Sequence, residues 1–75
     1  MIEIYGKDNC GYCENAKSFC KSKVLPYIYH KLGVDFTREE LLEMFPDAKT
    51  FPQIKVDDKS IGGYAELRRY YDQVE

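Results

Sequence analysis

The chain predicts an α/β fold with the element order β-α-β-α-β-β-α: a four-stranded mixed sheet flanked by helices. Three observations carry this. Short alternating or β-branched runs at residues 2–5, 25–31 and 53–56 read as strands. Between them, residues 11–20 and 37–45 repeat apolar side chains at three- and four-residue spacing, the period of a helix. Near the end, Asp57-Asp58 separates two strand-like runs in the manner of a hairpin turn.

Each element has a local reason. "IEIY" at 2–5 alternates apolar and polar, and residues 6–9 form a loop. From Gly11, the residues Tyr12, Cys13, Ala16, Phe19 and Cys20 trace one helical face, with Asn9 as the expected N-cap. "LPYIYHK" at 25–31 is aromatic and β-branched, and Pro26 suits an edge or first position. In "FTREELLEMF", Thr37 and Glu40 are spaced as a capping box. Phe36 and Leu41 can form the hydrophobic staple, and Pro46 stops the helix. Strands at 53–56 and 59–61 make the hairpin, and Gly62-Gly63 breaks it. Apolar residues at 64, 67, 70, 71 and 74 make the last helix. Strands one and two, joined through a helix, should run parallel with a right-handed crossover.

Composition narrows the function. With 75 residues, the chain is expected to form a single domain over 1–75, with a small core from a 44% hydrophobic composition. The net charge is −2, and lysine and arginine are scattered, so no basic patch suggests a nucleic-acid or anionic-membrane surface. No apolar run approaches the ~20 residues of a membrane span. The "MIEIYGK" start lacks the charged and apolar regions of a secretory signal, so the expected location is cytoplasmic.

The segment "KDNCGYCENAKSFC" concentrates the chemistry. Two of the three cysteines, Cys10 and Cys13, stand three residues apart at a helix start. A structural disulfide is the weakest reading, because the cysteine count is odd and such staples are rare in the cytosol. Structural zinc would need Cys10, Cys13, Cys20 and His30. Yet Cys20 lies ~10 Å along the helix from Cys13 at ~1.5 Å per residue, beyond the reach of one ion. A redox thiol fits best. At the helix mouth, unpaired N–H groups and the macrodipole favour negative charge on Cys10, and Lys7 adds a positive one. Such cysteines have pKa values of ~3.5–7.5 against ~8.5 for a free thiol. At neutral pH this raises the thiolate share from about 3% to about 90% for a pKa of ~6. Cys13, one turn on and at disulfide distance, is the resolving thiol, and Cys10 is the attacking one. Cys20 reads as a small buried hydrophobe, His30 as a solvated or core residue, and Arg68-Arg69 as a solvated helix face.

These residues resemble the glutaredoxins. The likeness rests on Lys7 with Cys10-Gly11-Tyr12-Cys13, on Thr50-Phe51-Pro52-Gln53-Ile54 and on Ile61-Gly62-Gly63-Tyr64, in that order, and covers nearly the whole chain. It is similar to the small dithiol forms of bacteria and their phages. The resemblance implies a thioredoxin fold, a cis Pro52 beside the cysteine pair, and glutathione-linked thiol–disulfide exchange. It implies glutathione contacts from Lys7, Tyr12, the Phe51 backbone, Pro52, Gly63 and Tyr64, with the last helix's N-terminus holding a carboxylate. It also implies disulfide-bearing client proteins, ribonucleotide reductase among them. The chain is expected to be a monomer with no metal. The family pattern is departed from in three places: Gly11 stands where proline is common, and Phe51 where a small β-branched residue is usual. Ala65-Glu66 replace a hydroxyl or thiol residue followed by Asp. Two alternatives follow. One is a redoxin of this fold reduced by thioredoxin reductase. The other, suggested by Gly11, is an iron–sulfur carrier whose cluster is bridged by Cys10 and glutathione.

Overall fold

The computed structural model describes residues 1–72. Its elements are β1 (Ile2–Gly6), α1 (Gly11–Ser22), β2 (Tyr27–Lys31), α2 (Arg38–Met44), β3 (Gln53–Val56), β4 (Lys59–Gly62) and α3 (Tyr64–Asp72). The order is the predicted one. The sheet runs β2-β1-β3-β4. β1 pairs parallel with β2 and antiparallel with β3, and β3–β4 is an antiparallel hairpin, so the sheet is mixed. Val74, expected on the last helix's apolar face, lies outside the described residues. Among the described residues no helix is long and apolar enough to cross a membrane.

Strand alternation sorts side chains to two faces. Ile2, Ile4, Ile54 and Val56 point to the face covered by α1 and α3, where Ala16, Cys20 and Leu67 complete a buried cluster. The opposite face holds Tyr5 with Phe36, Leu41 and Phe45 around α2. Tyr5 meets Phe36 and Phe45 edge-on, each at 5.3 Å between centroids. The apolar residues of α1 are thus spent on core and leave its N-terminus free for the site.

The α2 boundaries follow their caps. Thr37 Oγ1 accepts the Glu40 N–H at 3.1 Å, and Glu40 Oε1 accepts the Thr37 N–H at 2.8 Å, a reciprocal capping box. Phe36 and Leu41, on either side of it, are both buried in one cluster, as a hydrophobic staple requires. At the hairpin, Asp57 and Asp58 have φ of 51° and 66°. Both central residues of a type I′ turn need positive φ, and its twist matches the strands.

Three boundaries differ from expectation. Cys10, not Asn9, caps α1: Cys10 is extended at φ −123°, while Asn9 turns left-handed at φ 56°. Asparagine tolerates that conformation, so it reverses the chain one step before the cap. β2 starts at Tyr27 rather than at Leu25. The Leu25 N–H bonds back to Cys20 O at 2.8 Å and so belongs to the end of α1, and Pro26 has no N–H to give a ladder. β4 continues one residue past the expected end, to Gly62.

Candidate redox site

The site is built on the start of α1. As its N-cap, Cys10 places Sγ where a serine or aspartate oxygen would usually sit, and Sγ accepts the Cys13 N–H at 3.2 Å. The Cys10 carbonyl accepts the Glu14 N–H at 3.2 Å, which starts the helix ladder. Cys10 and Cys13 are joined in a disulfide with their Cα atoms 5.3 Å apart. The two cysteines have unequal access: Cys10 is half-buried, and Cys13 is fully buried. Another molecule can thus approach the first more readily than the second. On reduction, the free N–H groups at this terminus face a sulfur that carries charge, so the thiolate of the outer cysteine is the form they favour.

The other expected contacts gather beside it. Tyr12, Phe51, Pro52, Gly63 and Tyr64 line one cavity of about 280 Å³. Tyr12 is 64% exposed, and its ring lies 6.1 Å from that of Tyr64. The Phe51–Pro52 bond is cis, as the resemblance implies. Lys7 does not line the cavity but stands at its side, its Nζ 5.4 Å from the Phe51 ring centroid. Phe51, unusual for its position, thus gives the lysine an aromatic face to rest on.

The backbone of Gly62 requires glycine, and Gly63 has little room for a side chain. Gly62 has φ 113°, and a Cβ there would come within 2.7 Å of Glu66 Cγ. A Cβ on Gly63 would stand 3.3 Å from the Pro52 carbonyl, so the β4–α3 turn lies directly against the cis-proline loop.

Two residues were missed from sequence. Glu66 Oε1 accepts the Gly63 N–H at 2.7 Å and also borders the cavity. The signal was present as Gly63-x-x-Glu66, half of a capping box with glycine as the cap. Gln53 is buried, and its Nε2 donates to the Thr50 carbonyl at 2.7 Å, closing the loop that carries Phe51 and Pro52. In sequence it looks like an ordinary strand residue.

The remaining candidates are elsewhere. Cys20 is fully buried in the α1–α3 core, and burial pushes its thiol pKa up. That is the packing role expected of it. His30 stacks on Tyr5 at 4.5 Å and meets Glu3 Oε1 at 3.2 Å on the α2 face of the sheet. Among the described residues no three His, Cys, Asp or Glu side chains gather as a metal site.

Comparison with known proteins agrees with this geometry. Residues 2–61 match the family model described as Glutaredoxin. Glutaredoxin 3 of Escherichia coli (strain K12) is 36% identical over 69 residues, covering 88% of this chain and 80% of that protein. The crystal structure of glutaredoxin 1 from Francisella tularensis complexed with cacodylate superposes with a TM-score of 0.81 at 25% identity, over 97% of this chain and 93% of that one. That of a buckwheat glutaredoxin–glutathione complex gives 0.82 at 21% identity, over 97% and 69%, a likeness of fold. The fold is the thioredoxin fold, and a thiol–disulfide oxidoreductase is what such a cysteine pair on this scaffold makes. This chain belongs to the glutaredoxin family.

Proposed function

We propose that the protein is a glutathione-dependent dithiol oxidoreductase acting on protein disulfides and glutathione mixed disulfides. The observation that carries this is the unequal pair at the start of α1: a half-buried, N-capping Cys10 and an enclosed Cys13. In the reduced protein the Cys10 thiolate attacks one sulfur of a client disulfide. A mixed disulfide forms, and the client's other sulfur leaves as a thiolate and takes a proton. The Cys13 thiolate then attacks Cys10 Sγ, the client's second thiol departs, and the protein is left as the Cys10–Cys13 disulfide. Two electrons have passed to the client. Two glutathione molecules restore the dithiol through a second mixed disulfide and leave as glutathione disulfide. Exchange rates follow the thiolate fraction of the attacking sulfur and the acidity of the leaving one.

The glutathione assignment is supported by family membership, since glutaredoxins use glutathione as reductant, and by the cavity lined by Tyr12, Phe51, Pro52, Gly63 and Tyr64. The Phe51 backbone would pair with the tripeptide, and Lys7 would meet a carboxylate. One chain supplies both sulfurs, so a monomer suffices. The chemistry suits a reducing compartment such as the cytoplasm, and through the family resemblance ribonucleotide reductase is the client we place first.

The test is glutathione-dependent reduction of a glutathionylated peptide by wild type, Cys10→Ser and Cys13→Ser. The reading expects turnover by wild type, loss in Cys10→Ser, and most activity retained in Cys13→Ser, which should fail only on protein disulfides. Wild type inactive with glutathione but active with thioredoxin reductase would replace glutathione as the reductant.

A further inference from the structure

Helix α3 carries a second surface, whose arginines the exchange reaction does not use. Tyr12, Tyr64, Arg68 and Arg69, with Ala65 and Asp72, line a cavity of about 490 Å³. It shares Tyr12, Tyr64 and Ala65 with the cis-proline cavity, so the two form a continuous surface passing the exposed ring that stands between the cysteines. The Arg68 guanidinium lies 6.0 Å from the Tyr64 ring centroid, a placement that steadies it while its donors stay in water.

The charges around the cysteine pair are asymmetric. Asp8 is paired with Lys31 at 3.1 Å, Glu14 with Lys17 at 2.9 Å, and Glu66 with the Gly63 N–H at 2.7 Å. Each of these carboxylates is thus held by a neighbour. Arg68 and Arg69 are exposed, and among the described residues neither is in an ion pair. Among the described residues Asp72 is the one carboxylate bordering the cavity. A chain of net charge −2 therefore presents two guanidiniums and two aromatic rings on a surface that includes Tyr12, the residue before Cys13 and two after Cys10. Guanidinium groups recognise carboxylates through paired hydrogen bonds, and tyrosine rings give apolar area at little entropic cost.

We propose that the Tyr12–Tyr64–Arg68–Arg69 surface docks client polypeptides whose residues beside the disulfide are acidic, and so sets the order in which clients are reduced. The carboxylates meet Arg68 and Arg69, and an adjoining apolar side chain lies on the tyrosines. The client's disulfide is then delivered to Cys10. The electrons move as in the exchange above, from the dithiol to the client disulfide.

The test is stoichiometric, single-turnover reduction by the pre-reduced protein, so it needs no glutathione and stands whether or not glutathione is the reductant. Two peptides carry the same intramolecular disulfide, flanked by aspartates in one and by lysines in the other. A small uncharged disulfide is the reference. At low ionic strength the acidic peptide should be reduced about tenfold faster than the basic one. In concentrated salt the ratio should fall toward one, as screening shortens the reach of the charges. Arg68→Glu/Arg69→Glu should invert the preference, and Arg68→Gln/Arg69→Gln should erase it. Both should leave the uncharged disulfide unchanged, which also shows that the variants fold. Equal rates for the two peptides with wild type at low salt would overturn the proposal, as would a preference that survives Arg68→Gln/Arg69→Gln.

Discussion

The backbone N–H of Cys13 donates to Sγ of Cys10 over 3.2 Å, so the first cysteine of the pair caps the helix through the amide of the second. In the proposed mechanism the residue that attacks Cys10 Sγ is also the one whose amide would stabilise charge on it once the pair is reduced. A helix N-terminus that accepts carboxylate or thiolate gains typically 0.3–1 kcal/mol per charge at exposed sites, and more when partly buried.

This relationship sets the reactivity of the three thiols. In the reduced protein Cys10 should be alkylated first, because it is the cysteine at the helix start and the more accessible of the pair. Cys13 and Cys20, both fully buried, should lag far behind. Alkylation with iodoacetamide, read by peptide mass, checks this. Cys13 or Cys20 modified as fast as Cys10 would contradict it.

Gln53 holds the loop of the site. Its Nε2 donates to the Thr50 carbonyl at 2.7 Å from a buried position. Gln53→Ala removes the donor and leaves that carbonyl without its side-chain partner. The expected loss is about 0.5–1.5 kcal/mol, the net contribution of one hydrogen bond to an acceptor that water can still reach. Urea denaturation measures it directly, and the cavity's position beside this loop predicts that glutathione turnover falls as well.

Val24 is a point where the chain can be improved. The Leu25 N–H bonds to Cys20 O at 2.8 Å and the Val24 N–H to Lys21 O at 3.1 Å, the paired bonds of a Schellman motif. The residue at its left-handed position is Val24, with φ 56° and 86% exposure. A β-branched residue there bears about 1–2 kcal/mol of strain, and glycine gives back ~0.5–1 kcal/mol in unfolded-state freedom. Val24→Gly should therefore stabilise by about 0.5–1 kcal/mol, or a few degrees in Tm for a domain of this size. Calorimetry showing a lower Tm would refute the assignment.

Alkaline pH should unfold the protein earlier than neutral pH. Burial raises the Cys20 thiol above its ordinary 9.0. Burial, with help from Glu3, raises the Tyr5 hydroxyl above its ordinary 10.0, and burial also raises Tyr71. Each group binds its proton more tightly when folded. Its contribution is therefore complete below the ordinary value and is lost as pH climbs through the folded one. Tm should stay level up to about pH 8.5 and decline above it. Cys20→Ala should flatten the first part of that decline while lowering Tm at neutral pH through the small cavity it leaves.

Most of the fold was legible because its elements carry local signals. Thr37 and Glu40 announce α2, Asp57-Asp58 the hairpin, and the period of Ala16 and Cys20 the buried side of α1. Two of the three displaced boundaries share a cause: a residue nearby adopts a left-handed backbone its type does not demand. Asn9 has the side chain of a cap but turns the chain before it, and Val24 closes α1 where glycine would be expected. In the site, the cysteine pair was readable from spacing and position. The closeness of Gly63 to Pro52 was not, because it depends on the β3–β4 hairpin bringing the α3 turn back against the proline loop. Gln53 is invisible for the same reason: its role is a bond to a carbonyl three residues earlier, across a loop whose path the sequence does not state.

The central claim is that Cys10 attacks and carries glutathione while Cys13 resolves. Incubating reduced Cys13→Ser with glutathione disulfide and reading intact and peptide masses tests it most directly. The account predicts one glutathione per chain, attached to Cys10 and removed by excess glutathione. A chain that stays unmodified, or that carries glutathione on Cys20, would contradict it.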